Sequence, residues 1–165
     1  MFGSEPSHSA KIALENFKKN NVKHIIELGA GLGRDTIFFA KNSIKVTALD
    51  YSPTAVEIIK NKSNSLGLND LIEVQTHDLR QKLNFTDNSF DGCYSHMLYC
   101  MAFTYSELEN LNYEVCRVLN KDSLNIYTVR NHSDADYKKG THRGEDLYEM
   151  NGYIVHYFSD EKIKK

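Results

Sequence analysis

His24-Ile25-Ile26-Glu27-Leu28-Gly29-Ala30-Gly31-Leu32-Gly33 is a compact apolar run that stops in three alternating glycines. The run is too short for a helix and reads as a buried strand. Glycines at its end make a turn whose backbone can adopt φ above zero and approach a ligand with no Cβ in the way. After Arg34 the apolar positions change to Ile37, Phe38 and Ala40, the spacing of a helix with one packed face. Lys45 to Leu49 then returns to strand chemistry with Val46 and Leu49. Strand, glycine loop, helix and strand form a βαβ unit.

The alternation continues in both directions. Upstream, Ala10, Ala13, Leu14 and Phe17 fall at helical spacing, with Ser7 or Ser9 as cap and Asn20-Asn21 as stop. Downstream, Asp50 closes the second strand and Ser52-Pro53 supplies the N-cap and N1 of a helix that ends at Gly67. Leu71 to Thr76 is a third strand and Phe90 to Ser95 a fourth. Thr104-Tyr105-Ser106-Glu107 has the form of a capping box and opens a helix with Leu108, Leu111, Val115, Val118 and Leu119 on one side. Ser123 to Val129 is the fifth strand. Strands interleaved with helices predict an α/β, doubly wound, mainly parallel Rossmann-like sheet with helices on both faces. Asn131 to Asn151 reads as a long surface loop, Tyr153 to Phe158 as another short strand, and Ser159-Asp160-Glu161 as the first turn of a helix.

Composition narrows the function. The chain has 165 residues, 41% of them apolar and 25% charged, which predicts one domain over residues 1–165. At this length folding hides about 68–70% of the unfolded surface, enough for a core without staples. A formal charge of −2 gives no positive field for nucleic acid or anionic lipid, so neither is expected as a partner. Cys93, Cys100 and Cys116 are odd in number and lack C-x-x-C spacing, which speaks against a disulfide framework or a zinc site and for reduced thiols. His132, His142 and His156 with Asp134, Asp136 and Glu145 match no compact ligand motif, so no metal is expected. Met1 to Ser9 is polar and no apolar run approaches a membrane span. These features predict a cytoplasmic protein.

In an open parallel sheet the ligand crevice lies beyond the carboxyl ends of the strands, where the strand order reverses, and the first glycine loop lines it. A dinucleotide fingerprint would be G-x-G-x-x-G, with a third glycine at position 34. That position is Arg34, and the pattern is instead Glu27-x-Gly29-x-Gly31-x-Gly33. A carboxylate at the strand end repels a pyrophosphate but suits the ammonium of an amino-acid moiety, directly or through water. A nicotinamide-dependent oxidoreductase is therefore the weaker alternative, although Asp50 would suit it too.

This E-x-G-x-G-x-G resembles the first motif of class I S-adenosylmethionine-dependent methyltransferases, and the later residues follow that family in order and spacing. The resemblance implies S-adenosylmethionine as cofactor and S-adenosylhomocysteine as product. It implies a cradle made by Glu27, Gly29, Ala30, Gly31 and Gly33, and Asp50 as acceptor for the ribose hydroxyls. It also implies Tyr51 packed on the adenine face, and Asp78 with the backbone of Leu79 on the adenine edge. Asp91 corresponds to a residue that opens the fourth strand for structural reasons, and Ser95 and His96 fall where the family places residues near the methionine portion and the acceptor.

Phe2-Gly3-Ser4-Glu5-Pro6-Ser7 and His156-Tyr157-Phe158-Ser159-Asp160-Glu161 look like the tellurite-resistance, small-molecule branch, in which the N-terminal segment closes over the cofactor. The implied reaction is an in-line displacement onto a small-molecule acceptor, catalysed mostly by positioning, a term worth up to ~7–11 kcal/mol. His96 is the candidate catalytic residue, as base or substrate-orienting group, because it titrates near neutrality. Tyr99, Met101 and Phe103 would form an apolar wall.

The resemblance implies a sheet that ends in an antiparallel hairpin, for which this sequence offers no clear strands, so the chain reads as C-terminally incomplete by roughly 25–35 residues. Two expectations follow. An exposed fifth-strand edge invites pairing with a second copy, and a half-site that binds cofactor without turnover is the other alternative function.

Overall fold

A computed structural model describes residues 5–164. The elements are, in order, α1 (His8–Lys19), β1 (His24–Leu28), α2 (Arg34–Lys41), β2 (Lys45–Asp50), α3 (Pro53–Leu66), β3 (Ile72–Thr76), β4 (Phe90–His96), α4 (Tyr105–Val118) and β5 (Leu119–Thr128). They are followed by β6 (Arg130–Asn131), β7 (Thr141–His142), β8 (Leu147–Met150), β9 (Tyr153–Phe158) and α5 (Asp160–Ile163). Phe2, Gly3 and Ser4, which carry part of the N-terminal resemblance, lie outside the described residues.

The main sheet has the order β3-β2-β1-β4-β5, and all its pairings are parallel. Sequence order reverses between β1 and β4, so the crevice of the fold opens there. Side chains of a strand alternate between faces, and the two cores follow that rule. Ile25, Val46, Ala48 and Tyr94 join Ala10, Ala13, Phe17, Phe39 and Ile59 of the helices α1, α2 and α3 on one face. Ile26, Leu28, Leu49 and Cys93 join Leu108, Leu111, Val115 and Val118 of α4 on the other. Each fully buried aromatic or aliphatic side chain contributes about 1.5–3 kcal/mol of transfer free energy, and Phe39→Ala would cost about 3–5 kcal/mol by leaving a void beneath Phe17 and Tyr94.

Helix ends follow the sequence signals. Ser7 caps α1 by accepting from the Ala10 N–H, and Lys18 and Lys19 sit favourably in its last turn. Ser52, Pro53 and the left-handed Gly67 bound α3. Thr104 and Glu107 complete a reciprocal capping box at α4. The connection from β3 to β4 has no helix. Arg117 of α4 fastens it, donating to the carbonyls of Leu83 and Phe85 and to Asp87, while Glu114 holds both Arg117 and the Leu83 N–H. Asp91 performs the structural part expected of it. Its carboxylate accepts from the Lys23 and His24 N–H groups and from Asn120, tying the start of β4 to both neighbouring strands.

One expectation is corrected. Residues 131–151 are not a plain surface loop, because β8 pairs antiparallel with β9 and builds, with β6 and β7, a second small sheet in the order β6-β9-β8-β7. The expected strand over Tyr153–Phe158 is present in that sheet. The hairpin extends the small sheet and not the main one, whose edge on this side is β5. His156 anchors it to the loop after β4, since its N–H donates to Cys100 O and its Nδ1 lies 2.7 Å from Phe103 O. Two of the three free cysteines, Cys93 and Cys100, are buried and Cys116 is exposed. No helix among the described residues is long and apolar enough to cross a membrane.

Candidate functional site

The glycine loop between β1 and α2 forms one wall of the crevice. Gly29, Gly31 and Gly33 all have φ between +55° and +75°, the left-handed region that penalises a Cβ. Their surroundings differ. A Cβ on Gly33 would stand 2.7 Å from Ile59 Cγ1 and one on Gly29 would stand 2.8 Å from Leu98 Cδ1, so both are also packed against side chains. A Cβ on Gly31 would meet no atom within 4 Å, so this position borders open space. The Gly29 and Ala30 N–H groups donate to Leu49 O, and Gly33 N–H to Ala30 O, which fixes the loop against the end of β2.

Asp50 closes β2 and is only 7% exposed. Its two oxygens accept from the Gly31 N–H at 2.7 Å and the Ser52 N–H at 2.9 Å. Each carboxylate oxygen retains a lone pair for a further donor. Tyr51 beside it is 79% exposed, so its ring is a surface group and not part of the core. Beyond β3, Asp78 is half exposed and accepts from Arg80 through both its backbone N–H and its guanidinium, whereas Leu79 is buried in the core beneath.

Glu27 is buried directly under the glycine loop. Thr36 Oγ1 donates to it at 2.5 Å, but burial dominates and pushes its carboxyl up to about 8. On the β4 side Ser95 is 0% exposed and its Oγ has no partner among the described residues. His96 is half-buried. Its Nδ1 lies 2.9 Å from Ser9 Oγ and 3.1 Å from Thr128 Oγ1, and burial lowers its pKa.

A polar network that the sequence did not announce links these strand ends to the N-terminus. Asp35 at the start of α2 accepts from the Ser7 N–H and hydroxyl, from Tyr94 and from both Nε and Nη2 of Arg34. Burial opposes the charge of Asp35, yet these donors hold its carboxyl below the usual range. Ser7, Ser9, Asp35, Tyr94 and Thr128 carried no recognisable spacing, being drawn from five separate elements and connections. The nearest signal was Asp35 itself, an acid placed directly after the glycine loop.

The expected aromatic wall is corrected. Tyr99 and Phe103 are buried in the core of the α4 face, and Met101 is the exposed member of the three at 51%. Among the described residues no group of three His, Cys, Asp or Glu side chains could hold a metal ion.

The site therefore offers a glycine turn opening onto free space, an acid clamped by two amides, an exposed aromatic ring and an unpaired buried hydroxyl. Those features suit a nucleoside with an amino-acid arm. A family profile described as a methyltransferase domain matches residues 25–122. The chain belongs to this methyltransferase family. Its cofactor is accordingly S-adenosylmethionine, and the nicotinamide alternative is set aside.

A sterol 4-C-methyltransferase (strm-1) of Caenorhabditis elegans is 28% identical over 96 residues, covering 58% of this chain and 28% of that protein. The chain thus spans little more than a quarter of the curated relative's length. Among solved structures, a SAM-dependent methyltransferase of Methanosarcina mazei superposes with a TM-score of 0.76 at 19% identity, covering 92% of this chain and 79% of that one. A methyltransferase from Methanococcus maripaludis gives 0.62 at 24% identity, covering 72% and 54%. These likenesses establish the Rossmann-like fold of the methyltransferase domain.

Proposed function

We propose that this methyltransferase domain binds S-adenosylmethionine in the β1–β4 crevice and directs methyl transfer to a small-molecule acceptor. In this reading Asp50 accepts from the ribose hydroxyls and Tyr51 covers the adenine face. Asp78 and the Leu79 backbone meet the adenine edge. Gly29, Ala30, Gly31 and Gly33 admit the ligand closely. Glu27, protonated by burial in the free protein, lies beneath the loop at the ammonium end, where a bound cation would favour its ionised form, and Ser95 and His96 border the reacting end.

When bound, the cofactor supplies a methyl group on a sulfonium, ready for in-line displacement. The chain's own contribution is alignment and exclusion of water. The sterol methyltransferase relative is itself an enzyme of a small molecule, which supports the acceptor class.

The observation that carries the reading is the Asp50 clamp: an acid fixed by the Gly31 and Ser52 amides, next to a 79% exposed tyrosine, at the mouth of the sheet. Titration calorimetry with S-adenosylhomocysteine tests it. Saturable one-site binding that Asp50→Ala weakens is the expected result, and absence of binding to the wild-type chain overturns it.

A further inference from the structure

The hydrogens of the network around His96 can be counted. Asp35, ionised beside Arg34, only accepts. The single hydroxyl hydrogens of Ser7 and Tyr94 therefore both go to its Oδ2, at 2.7 and 3.1 Å. Ser9 then has three lone pairs it can turn its hydrogen to, on Tyr94 Oη at 2.9 Å, on Ser7 Oγ at 3.0 Å and, with a bare Nδ1, on His96 at 2.9 Å. Thr128 Oγ1 already accepts the Met97 N–H at 2.9 Å. Among the described residues the remaining partner for its own hydrogen is His96 Nδ1 at 3.1 Å.

A lone pair on Nδ1 can receive both the Ser9 and the Thr128 hydroxyl hydrogens, whereas a proton there could only donate to Ser9 and would leave the Thr128 hydrogen facing a donor. The geometry thus favours a neutral ring whose proton sits on Nε2. Nε2 makes no hydrogen bond among the described residues, and the half-buried ring stands at the carboxyl end of β4 next to Ser95.

We propose that His96 offers Nε2–H to the methyl acceptor as a hydrogen-bond donor, with Thr128 as the residue that positions its tautomer, and that the acceptor attacks through an atom that carries no proton, a thiolate. This rests on the crevice being the site of methyl transfer. A ring already protonated at Nε2 cannot take the acceptor's proton there. A hydroxyl acceptor would need another base, whereas a thiolate needs none. The thiol gives its proton to solvent on ionising, the thiolate lone pair forms the new S–CH3 bond, the electrons of the broken bond stay on the departing thioether sulfur, and no proton passes through His96.

The test is long-range 1H–15N correlation on the full chain labelled at histidine nitrogens, with His96 assigned by the signals lost in His96→Gln. A pyridine-like Nδ1 and a pyrrole-like Nε2 near neutral pH are expected. Thr128→Val should convert this pattern to a mixture of tautomers, and Thr128→Ser should restore it. A pyrrole-like Nδ1 in the wild type overturns the proposal, and so does a pattern that Thr128→Val leaves unchanged.

S-adenosylhomocysteine added to the same sample separates the two readings. If it moves no resonance, the methyl-transfer reading fails and takes the acceptor role with it. If it binds and Nδ1 carries the proton, only the donor proposal fails. Thiols and alcohols matched in carbon skeleton then read the acceptor class. Thiols should be methylated faster by about a hundredfold or more, and an alcohol turned over as fast as its thiol, or no thiol turned over at all, removes the class.

Discussion

Asp50 Oδ2 accepts the Gly31 N–H at 2.7 Å, so the acid that ends β2 and the middle glycine of the loop after β1 hold each other in place. Binding and loop geometry are therefore coupled through one carboxylate. Asp50→Ala should weaken S-adenosylhomocysteine binding by ~1–3 kcal/mol and also lower stability by about 1–2 kcal/mol, because the Gly31 and Ser52 amides lose a charged partner. Calorimetry and thermal melts on one sample would read both losses. A variant of full affinity contradicts the ribose assignment.

The glycines should divide by what surrounds them. Gly33→Ala meets Ile59 at 2.7 Å as well as a φ of +75°, and is expected to destabilise the fold by about 2–4 kcal/mol. Gly31→Ala meets no atom and carries only the backbone penalty, about 1 kcal/mol, but its methyl projects into the crevice. It should lose affinity for S-adenosylhomocysteine more than stability. Equal stability losses in urea titrations of the two variants would contradict this division.

Glu27 gives a pH dependence whose sign is fixed. Its carboxyl sits at about 8 in the fold against 4.5 when free, so between those values the native protein holds a proton that the unfolded chain has released. Its contribution to stability is therefore lost as pH rises from about 5 to 8, by up to about 1.4 kcal/mol per unit. His24, His96 and His156 have lowered pKa values through burial and act in the opposite sense below their free values. The difference between wild type and Glu27→Gln isolates the carboxyl. That difference, from denaturant titrations at several pH values, should shift in favour of the glutamine variant as pH rises, and a constant difference would show that Glu27 is ionised throughout.

The main sheet ends at β5, whose outward edge is not paired with another strand of that sheet among the described residues. Such an edge is a template for a second copy. Sedimentation or size-exclusion analysis of the full chain should reveal self-association that Leu124→Lys does not abolish but that a proline at an edge amide does. A monomer at all concentrations would refute the pairing.

The main sheet was legible because its signals are local. Ser52-Pro53, Gly67 and the Thr104–Glu107 box announce helix ends in four residues or fewer, and the step from Ile25 to Ile26 already tells which face each side chain covers. The crevice-side pair Asp50 and Tyr51 was legible for the same reason, as neighbours at a strand end. The small sheet was not. Its members β6 and β7 are two residues each, too short to show a period; β6 depends on Tyr157 and Phe158, which lie far along the chain, and β7 is a short rung against Tyr148 and Glu149. Nor was the burial of Tyr99 and Phe103, which depends on how the loop after β4 folds back under α4. The Ser7–Asp35–Tyr94 network escaped because long-range hydrogen bonds between single polar residues leave no periodic trace.

Asp91 has one more consequence. By gathering the Lys23 and His24 amides and Asn120 at the amino ends of β1, β4 and β5, it rivets the sheet at the end opposite the crevice. Breathing motions of these central strands should start at the ligand mouth and die out toward that rivet, much as a hinged fan spreads only at its rim.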